Sequence, residues 1–167
     1  MIYCIDTSAL IDLDRLYPKE VFPSLWEEYF VDITAEGRLI SPHEVREELE
    51  RKDDELWNWI KVNCKNLFIR DNQLVIDRVA ELLIKFTGWV NPEFPQKNMA
   101  DPFVVALALE AHNIFQDVNE KETMVITHEE FTGNLAKRKL PDICRNLGIK
   151  PCRLVDLFKN EKWKIGG

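Results

Sequence analysis

Short apolar runs alternate along the chain with longer segments in which apolar residues recur every three or four positions. The short runs, at residues 2–5, 39–40 and 124–127, have the length and composition of buried strands. The longer segments predict amphipathic helices, such as residues 72–88, whose apolar residues fall on one face. A last strand is predicted at residues 152–155.

Polar residues and prolines mark where the helices begin. Thr7 or Ser8 is expected to cap the helix that follows the first strand. Ser41, Pro42 and Glu44 form the pattern of a capping box, with serine at the N-cap, proline at the first helical position and glutamate at the third. This pattern predicts that a helix begins directly after the second strand.

Strands that alternate with helices are typical of a parallel sheet covered by helices on both faces. We therefore predict an α/β fold with three layers, α/β/α, and a parallel sheet of four to five strands. No shift in composition divides the chain, so residues 1–167 are expected to form a single domain.

The composition is that of an ordinary globular protein, with 46% hydrophobic and 31% charged residues, which excludes an intrinsically disordered chain. No apolar run approaches the ~18 residues of a membrane span, and the first residues lack the basic segment of a secretory signal. We expect a cytoplasmic protein without membrane contact. The four cysteines form no C-x-x-C pair, so we expect reduced, buried thiols rather than a zinc site.

The chain is acidic, with 22 Lys and Arg against 29 Asp and Glu and a net charge of −7. This balance argues against nucleic-acid binding through a basic surface. Any function on RNA therefore needs another source of positive charge.

Several acidic residues fall where a parallel sheet binds its ligands, beyond the carboxyl ends of the strands. Asp6 directly follows the first strand, and Glu129 lies two residues after Thr127. Asp101 precedes Pro102 and a nearly all-apolar helix, which is expected to be central. Each acid also has an ordinary explanation, because Asp6 and Asp101 suit helix N-caps and an exposed glutamate is commonly only solvated.

The helix after the second strand carries several glutamates, and helical geometry separates them. With Val45 and Leu49 facing the core and ~100° between successive residues, Glu48 lies at the boundary between core and solvent. Glu47 lies on the opposite side of the helix and faces water. Glu48 is therefore the acid on this helix that can join the acids at the strand ends.

Four carboxylates in one pocket repel one another unless a cation lies between them. A site of oxygen ligands alone suits a hard cation such as Mg²⁺ or Mn²⁺. Such ions activate water and offset charge on a phosphoryl group. Asp6, Glu48, Asp101 and Glu129 therefore predict metal-assisted hydrolysis of a phosphate ester.

These acids lie in segments that resemble the ordered acidic motifs of PIN-domain ribonucleases, in the branch of the VapC-type toxins. The similar segments are Ile-Asp-Thr-Ser-Ala-Leu at 5–10, Val-x-x-Glu-Leu at 45–49, Ala-Asp-Pro-Phe-Val-Val-Ala-Leu-Ala at 100–108 and Val-Ile-Thr-His-Glu at 125–129. The resemblance spans residues 2 to about 158. The Ala-Asp-Pro-Phe form and the Pro-Asp-Ile-Cys segment at 141–144 resemble an uncharacterised prokaryotic PIN subfamily.

The resemblance implies a three-layer α/β/α fold and metal-dependent endonucleolytic cleavage of RNA that leaves a 5′-phosphate and a 3′-hydroxyl. It implies catalytic and metal-binding roles for Asp6, Glu48, Asp101 and Glu129, with Mg²⁺ or Mn²⁺ as the cofactor. The family more often has aspartate at the fourth position, so Glu130 is the alternative to Glu129. The resemblance also implies the toxin of a toxin–antitoxin pair, with an RNA substrate, a protein antitoxin and a second copy of the chain as partners.

Other residues are expected to support this chemistry. Thr7 and Thr127 are expected to orient the carboxylates, although Thr127 also suits an ordinary strand end. Trp89, Lys97 and His128 are expected to contact the substrate, unless the loop that carries Trp89 simply buries its aromatic residues. Two divalent ions would change the net charge from −7 to −3, which supplies positive charge at the site itself.

Two other functions fit parts of the sequence. A haloacid-dehalogenase-like phosphatase also has an aspartate after its first strand, but it needs a second aspartate two residues later, where this chain has Ser8. A PIN-like domain without its fourth acid can instead serve as an RNA- or protein-binding module. The glutamate at position 129 keeps this alternative open.

Overall fold

The computed structural model describes residues 1–70, 72–91, 93–94, 99–115 and 122–165. The strands in this part of the chain are β1 (Ile2–Ile5), β2 (Leu39–Pro42), β3 (Phe68–Ile69), β4 (Thr123–Ile126) and β5 (Lys150–Cys152). The helices are α1 (Thr7–Leu16), α2 (Val31–Ala35), α3 (His43–Lys52), α4 (Glu55–Asn63), α5 (Gln73–Lys85), α6 (Ala100–Ile114), α7 (Leu140–Asn146) and α8 (Leu154–Asn160). A π-helical segment, Leu25–Phe30, leads into α2, and a 3₁₀ turn, Leu135–Lys137, precedes α7.

The five strands form one parallel sheet in the order β3-β2-β1-β4-β5. Parallel strands are almost always joined by right-handed crossovers, and with this strand order the rule puts the helices that follow β1 and β2 on one face and those that follow β3 and β4 on the other. The predicted three-layer α/β/α fold is therefore confirmed, with five strands, and it is consistent with a PIN-like fold.

The central strands are continuous apolar runs in the sequence because both of their faces lie in the core. All residues of β1 and β2 are buried, as expected for strands covered on both faces. The apolar helix α6 packs on β1, β2 and β4, and α5 packs against α6. The four cysteines are buried and unpaired, as predicted. No helix in the described ranges has the length and apolar character needed to cross a membrane.

Two predicted boundaries were wrong, and strand pairing explains both. Ser41 and Pro42 belong to β2 because they pair with β3, and the Ser41 hydroxyl donates to the Ile5 carbonyl instead of capping a helix. Pro42 is the N-cap of α3. The last strand ends at Cys152, which pairs with Ile126, so residues 154–160 are free to form α8.

Candidate functional site

The carboxyl ends of β1 and β4 bring Asp6 and Thr127 together. The two strands pair in register up to Ile5 and Ile126, and the Asp6 amide donates to the Ile126 carbonyl at 3.0 Å. The Thr127 hydroxyl then donates to Asp6 Oδ2 at 2.6 Å. The contact between Thr127 and a carboxylate, which the sequence led us to expect, is thus present in the structure.

Asp6 is the N-cap of α1, so the prediction that Thr7 or Ser8 caps this helix was wrong. Asp6 has extended backbone angles, and its Oδ1 accepts the Ala9 amide at 2.7 Å. The Ser8 hydroxyl lies 2.9 Å from both carboxylate oxygens. Only 3% of Asp6 is exposed. The carboxylate is therefore buried and held in one orientation.

Glu48 reaches the same edge of the sheet from α3. Its Oε2 accepts a hydrogen bond from the Thr7 hydroxyl, next to Asp6 in the chain. Glu48 is half-buried, whereas Glu47 is exposed and Val45 is fully buried, as the helical geometry predicted. Thr7 therefore contacts a carboxylate, but that of Glu48.

Asp101 is the second residue of α6, whose N-cap is Met99, so Asp101 does not cap the helix as its pairing with Pro102 suggested. Its Oδ2 is buried, and no described residue donates a hydrogen bond to it. Burying a carboxylate oxygen without a partner is costly, because the group loses its water and gains nothing in exchange. The oxygen is thus available to a ligand.

The pKa of Asp101 shows that the four acids are close enough for their charges to interact. The pKa of Asp101 is raised well above its usual value, first by burial and then by the negative charges of Glu129, Asp6 and Glu48. Lys139 acts in the opposite direction. The other three predicted acids are therefore the ones whose charges reach Asp101, and all four lie in one neighbourhood.

Glu129 is held by the start of α7. Its Oε2 accepts the Leu140 amide at 2.9 Å, and its Oε1 lies 3.5 Å from Lys139 Nζ. Its own amide donates to the Thr127 hydroxyl at 3.2 Å. Glu130 is exposed and forms none of these contacts. The geometry therefore favours Glu129 over Glu130 as the fourth acid.

Burial raises the pKa of Asp6 to about 7, and the charge of Glu129 adds to this, although the hydrogen bonds from Thr127, Ala9 and Ser8 act against it. In the unfolded chain the carboxyl has its ordinary pKa of 3.8. Between these two values the folded state binds more protons than the unfolded state. The free energy of unfolding therefore falls as the pH rises through this window.

We expect the free energy of unfolding of the metal-free protein to fall by about 1–2 kcal/mol between pH 5.5 and 7 on account of Asp6. Urea denaturation in EDTA measures this change. Asp6→Asn keeps a good N-cap residue and removes the titrating group, so its pH dependence should be flatter by that amount. Equal slopes for the two proteins would contradict the expectation.

The donor chemistry of the cluster fits Mg²⁺ or Mn²⁺, because every candidate ligand is a carboxylate oxygen. In the described part of the chain, no three Asp, Glu, His or Cys side chains already stand together as a formed metal site. Asp6, Glu48 and Glu129 each accept hydrogen bonds from the protein, whereas Asp101 has a buried oxygen without one. Binding an ion would therefore require side-chain rotations around Asp101.

A cavity of about 230 Å³ opens beside the cluster, with Thr127 and Glu129 in its wall. Arg145 and Arg153 also line it, and the Arg145 guanidinium lies 3.9 Å from the centre of the Phe131 ring. Asp156 lines the cavity as well, so its described lining carries two cationic and two acidic side chains, and Glu129 is the member of the acidic cluster that reaches it.

The structure gives different results for the three residues expected to contact substrate. Trp89 is buried and packs edge-on against Phe86 at 5.9 Å, so the prediction that it stacks on a base is wrong and the loop simply buries it. Lys97 lies outside the described residues. His128 is largely buried, and its Nδ1 lies 2.6 Å from Asp12 Oδ2, which ties it to α1 rather than to the surface.

Sequence reasoning missed two residues that hold the segment after β4 in place. The Ser8 hydroxyl accepts the His128 amide at 3.0 Å and so links the Asp6 carboxylate to the loop after β4. Asp142 is buried and accepts the Gly133 amide and the Thr132 hydroxyl, both at 2.8 Å. The sequence holds no local signal for Asp142, because its partners Gly133 and Thr132 lie 9 and 10 positions away.

A search of curated proteins gave no match to this chain. A family model described as "Domain of unknown function (DUF4411)" matches residues 3–165. The match includes the whole sheet except Ile2, the first residue of β1, and all four acids of the candidate site. The chain therefore belongs to the DUF4411 family.

Proposed function

We propose that this protein is an endoribonuclease that depends on Mg²⁺ or Mn²⁺ and hydrolyses RNA phosphodiester bonds. The observation that supports this proposal most directly is the buried, unpartnered oxygen of Asp101, whose pKa is raised first by burial and then by the charges of the three other acids. A cluster that destabilises itself in this way is explained if a cation normally neutralises it.

The chain's own groups would divide the work. Asp6 and Asp101 would bind the ion, and Glu48, oriented by Thr7, would accept a proton from the attacking water. Glu129 is anchored at the start of α7 and would add negative charge at the edge of the site. When bound, the ion would supply a Lewis acid for the phosphoryl oxygen and lower the pKa of a bound water.

The hydroxyl groups around Asp6 serve to orient its carboxylate. Ser8 and Thr127 both donate to it, and each also accepts a backbone amide from the loop that follows β4. Ser8 occupies the position where a haloacid-dehalogenase-like phosphatase needs its second aspartate. This arrangement supports a nuclease over such a phosphatase.

The anchoring of Glu129 favours one other candidate function, a non-catalytic binding module. A carboxylate that caps a helix and pairs with Lys139 has a structural use without any metal. In that case the acids would lack an ion and RNA would bind without being cut. The toxin role and the protein antitoxin are parts of our proposal that rest on the resemblance to PIN-domain toxins.

We expect cleavage of a single-stranded RNA in the presence of Mn²⁺, with products that carry a 5′-phosphate and a 3′-hydroxyl. EDTA should abolish cleavage, and excess Mn²⁺ should restore it, because the carboxylates alone cannot offset charge on the phosphate. Gel analysis of an end-labelled RNA, with enzymatic identification of the new ends, measures this. Cleavage that survives EDTA, or a failure to cleave with either ion, would contradict the proposal.

A further inference from the structure

A second cavity, of about 500 Å³, lies between α3, α4 and β3, and we call it the basic groove. Four of the side chains that line it are cationic: Arg46, Lys61, Lys65 and Arg70. Glu50 is the one acid among its described lining residues, so these groups sum to +3. The rest of a chain with a net charge of −7 is correspondingly more acidic.

The charges in the basic groove are poorly neutralised. Lys61, Lys65 and Arg70 are exposed, and none of them forms an ion pair with a carboxylate of the described residues. Arg46 approaches Glu50, but at 3.9 Å, the long end of ion-pair distances. Like charges gathered without partners repel one another, so the groove gains most from an anionic ligand.

Aromatic rings lie beneath the cations of the basic groove, and Trp57 is almost fully buried there. The Arg46 guanidinium lies 5.7 Å from the centre of the Trp57 ring, and Trp57 lies 6.2 Å from the half-buried Phe68. A guanidinium fixed over an aromatic ring presents its donors in a set plane. The ring therefore helps to position Arg46, and a groove lined by cations is typical of surfaces that bind the backbone of single-stranded nucleic acid.

Helix α3 separates the basic groove from the acidic cluster. Arg46 and Glu50 each lie two residues, and therefore about 160° around the helix, from Glu48. One flank of α3 thus faces the acids and the other faces the groove. The helix with its side chains is only ~10–12 Å wide, so a polymer of several nucleotides can reach both places.

We propose that the basic groove binds backbone phosphates of single-stranded RNA a few nucleotides away from the bond that is cleaved at the acidic cluster. This inference rests on the proposed function, because it treats the two places as parts of one substrate path. An acidic peptide would also meet the charge of the groove. RNA is favoured because one strand, being a polymer, can occupy the groove and also extend across α3 to the acids.

The test uses the full chain with Asp101→Asn, so that RNA is bound but not cut, and a fluorescent single-stranded RNA of about 12 nucleotides. Lys61→Gln with Lys65→Gln should weaken binding about tenfold and reduce the slope of log K against log salt by about 1.4, since two phosphate contacts are lost. Fluorescence anisotropy over a series of salt concentrations gives both quantities.

The matched control is Lys150→Gln with Lys159→Gln, which removes the same charge from exposed positions outside the groove. The control should bind RNA like the parent protein. Equal losses in the two lysine pairs, no loss in the groove pair, or tighter binding of polyglutamate than of RNA in the groove would overturn the inference. Because both pairs are exposed, unchanged circular dichroism is expected for each.

The two proposals can fail separately. With Asp101 intact, the groove pair should still cut a short RNA that cannot span α3, while its cleavage of the longer RNA falls in step with binding. If the wild type binds RNA through the groove and never cuts it, the nuclease proposal is wrong and the proposal that the groove binds RNA is supported. If it cuts and the groove pair binds and cuts as the wild type does, the groove proposal is wrong and the nuclease stands.

Discussion

Asp101→Asn is expected to lower kcat/KM for RNA cleavage by about 10³-fold, a loss typical of removing a charged group from a catalytic site. The substitution keeps the size of the side chain but removes the charge that would bind the ion. It also removes the repulsion between Asp101 and the other acids. The metal-free variant should therefore be more stable than the wild type, by about 0.5–2 kcal/mol.

Glu47→Gln is the matched control for Asp101→Asn, because Glu47 is an exposed acid on the helix that carries Glu48. Cleavage and stability of this control should both stay near wild-type values, as is usual for exposed positions. Cleavage by Asp101→Asn at the wild-type rate would contradict a role in metal binding, and a variant less stable than the wild type would contradict the repulsion between Asp101 and the other acids.

Asp142→Ala is expected to cost about 2–3 kcal/mol of stability, because hydrogen bonds to a buried carboxylate are lost. Asp142 accepts bonds from both Thr132 and Gly133. Gly133 has a φ of +69°, so the turn depends on a residue that tolerates this conformation and on an acceptor for its amide. Urea denaturation measures the effect.

The carboxylate of Asp142 has its partners in the loop rather than among the four acids, so its removal should act through folding. At a temperature where the variant stays folded, cleavage should remain within about tenfold of wild type, a loss typical of supporting residues. Asp77→Ala, which removes an exposed carboxylate from α5, should change stability by less than about 0.5 kcal/mol. Equal effects of the two substitutions would contradict the role assigned to Asp142.

The pattern of apolar residues was enough to predict the fold. Buried parallel strands need uninterrupted apolar runs, and the run before Asp6 shows this directly. The placement of Asp6 and Glu129 after strands, and of Glu48 on a helix flank, followed from simple geometry. Sequence reasoning therefore found the acids that the structure brings together.

Contacts between distant segments could not be predicted in the same way. Nothing in the capping-box pattern shows that β3 extends β2 as far as Pro42, so the start of α3 was misplaced. The contact of Thr7 with Glu48 joins residues 41 positions apart and has no local signal. Trp89 looked available for stacking because its burial depends on packing against Phe86.

The basic groove escaped sequence reasoning for a related reason. Its cations come from α3, from the end of α4, from the turn that follows α4 and from the residue after β3, so no run of basic residues marks them in the sequence. The net charge of −7 pointed away from any such surface. Local concentration of charge depends on the fold, which a total over the chain does not report.

Isothermal titration of Mn²⁺ into the metal-free protein tests most directly whether the four acids form a cation site. We predict binding of at least one ion by the wild type. Asp6→Asn and Asp101→Asn should each bind at least about tenfold more weakly, and Glu47→Gln should bind like the wild type. No binding by the wild type, or equal affinity in all four proteins, would contradict the account.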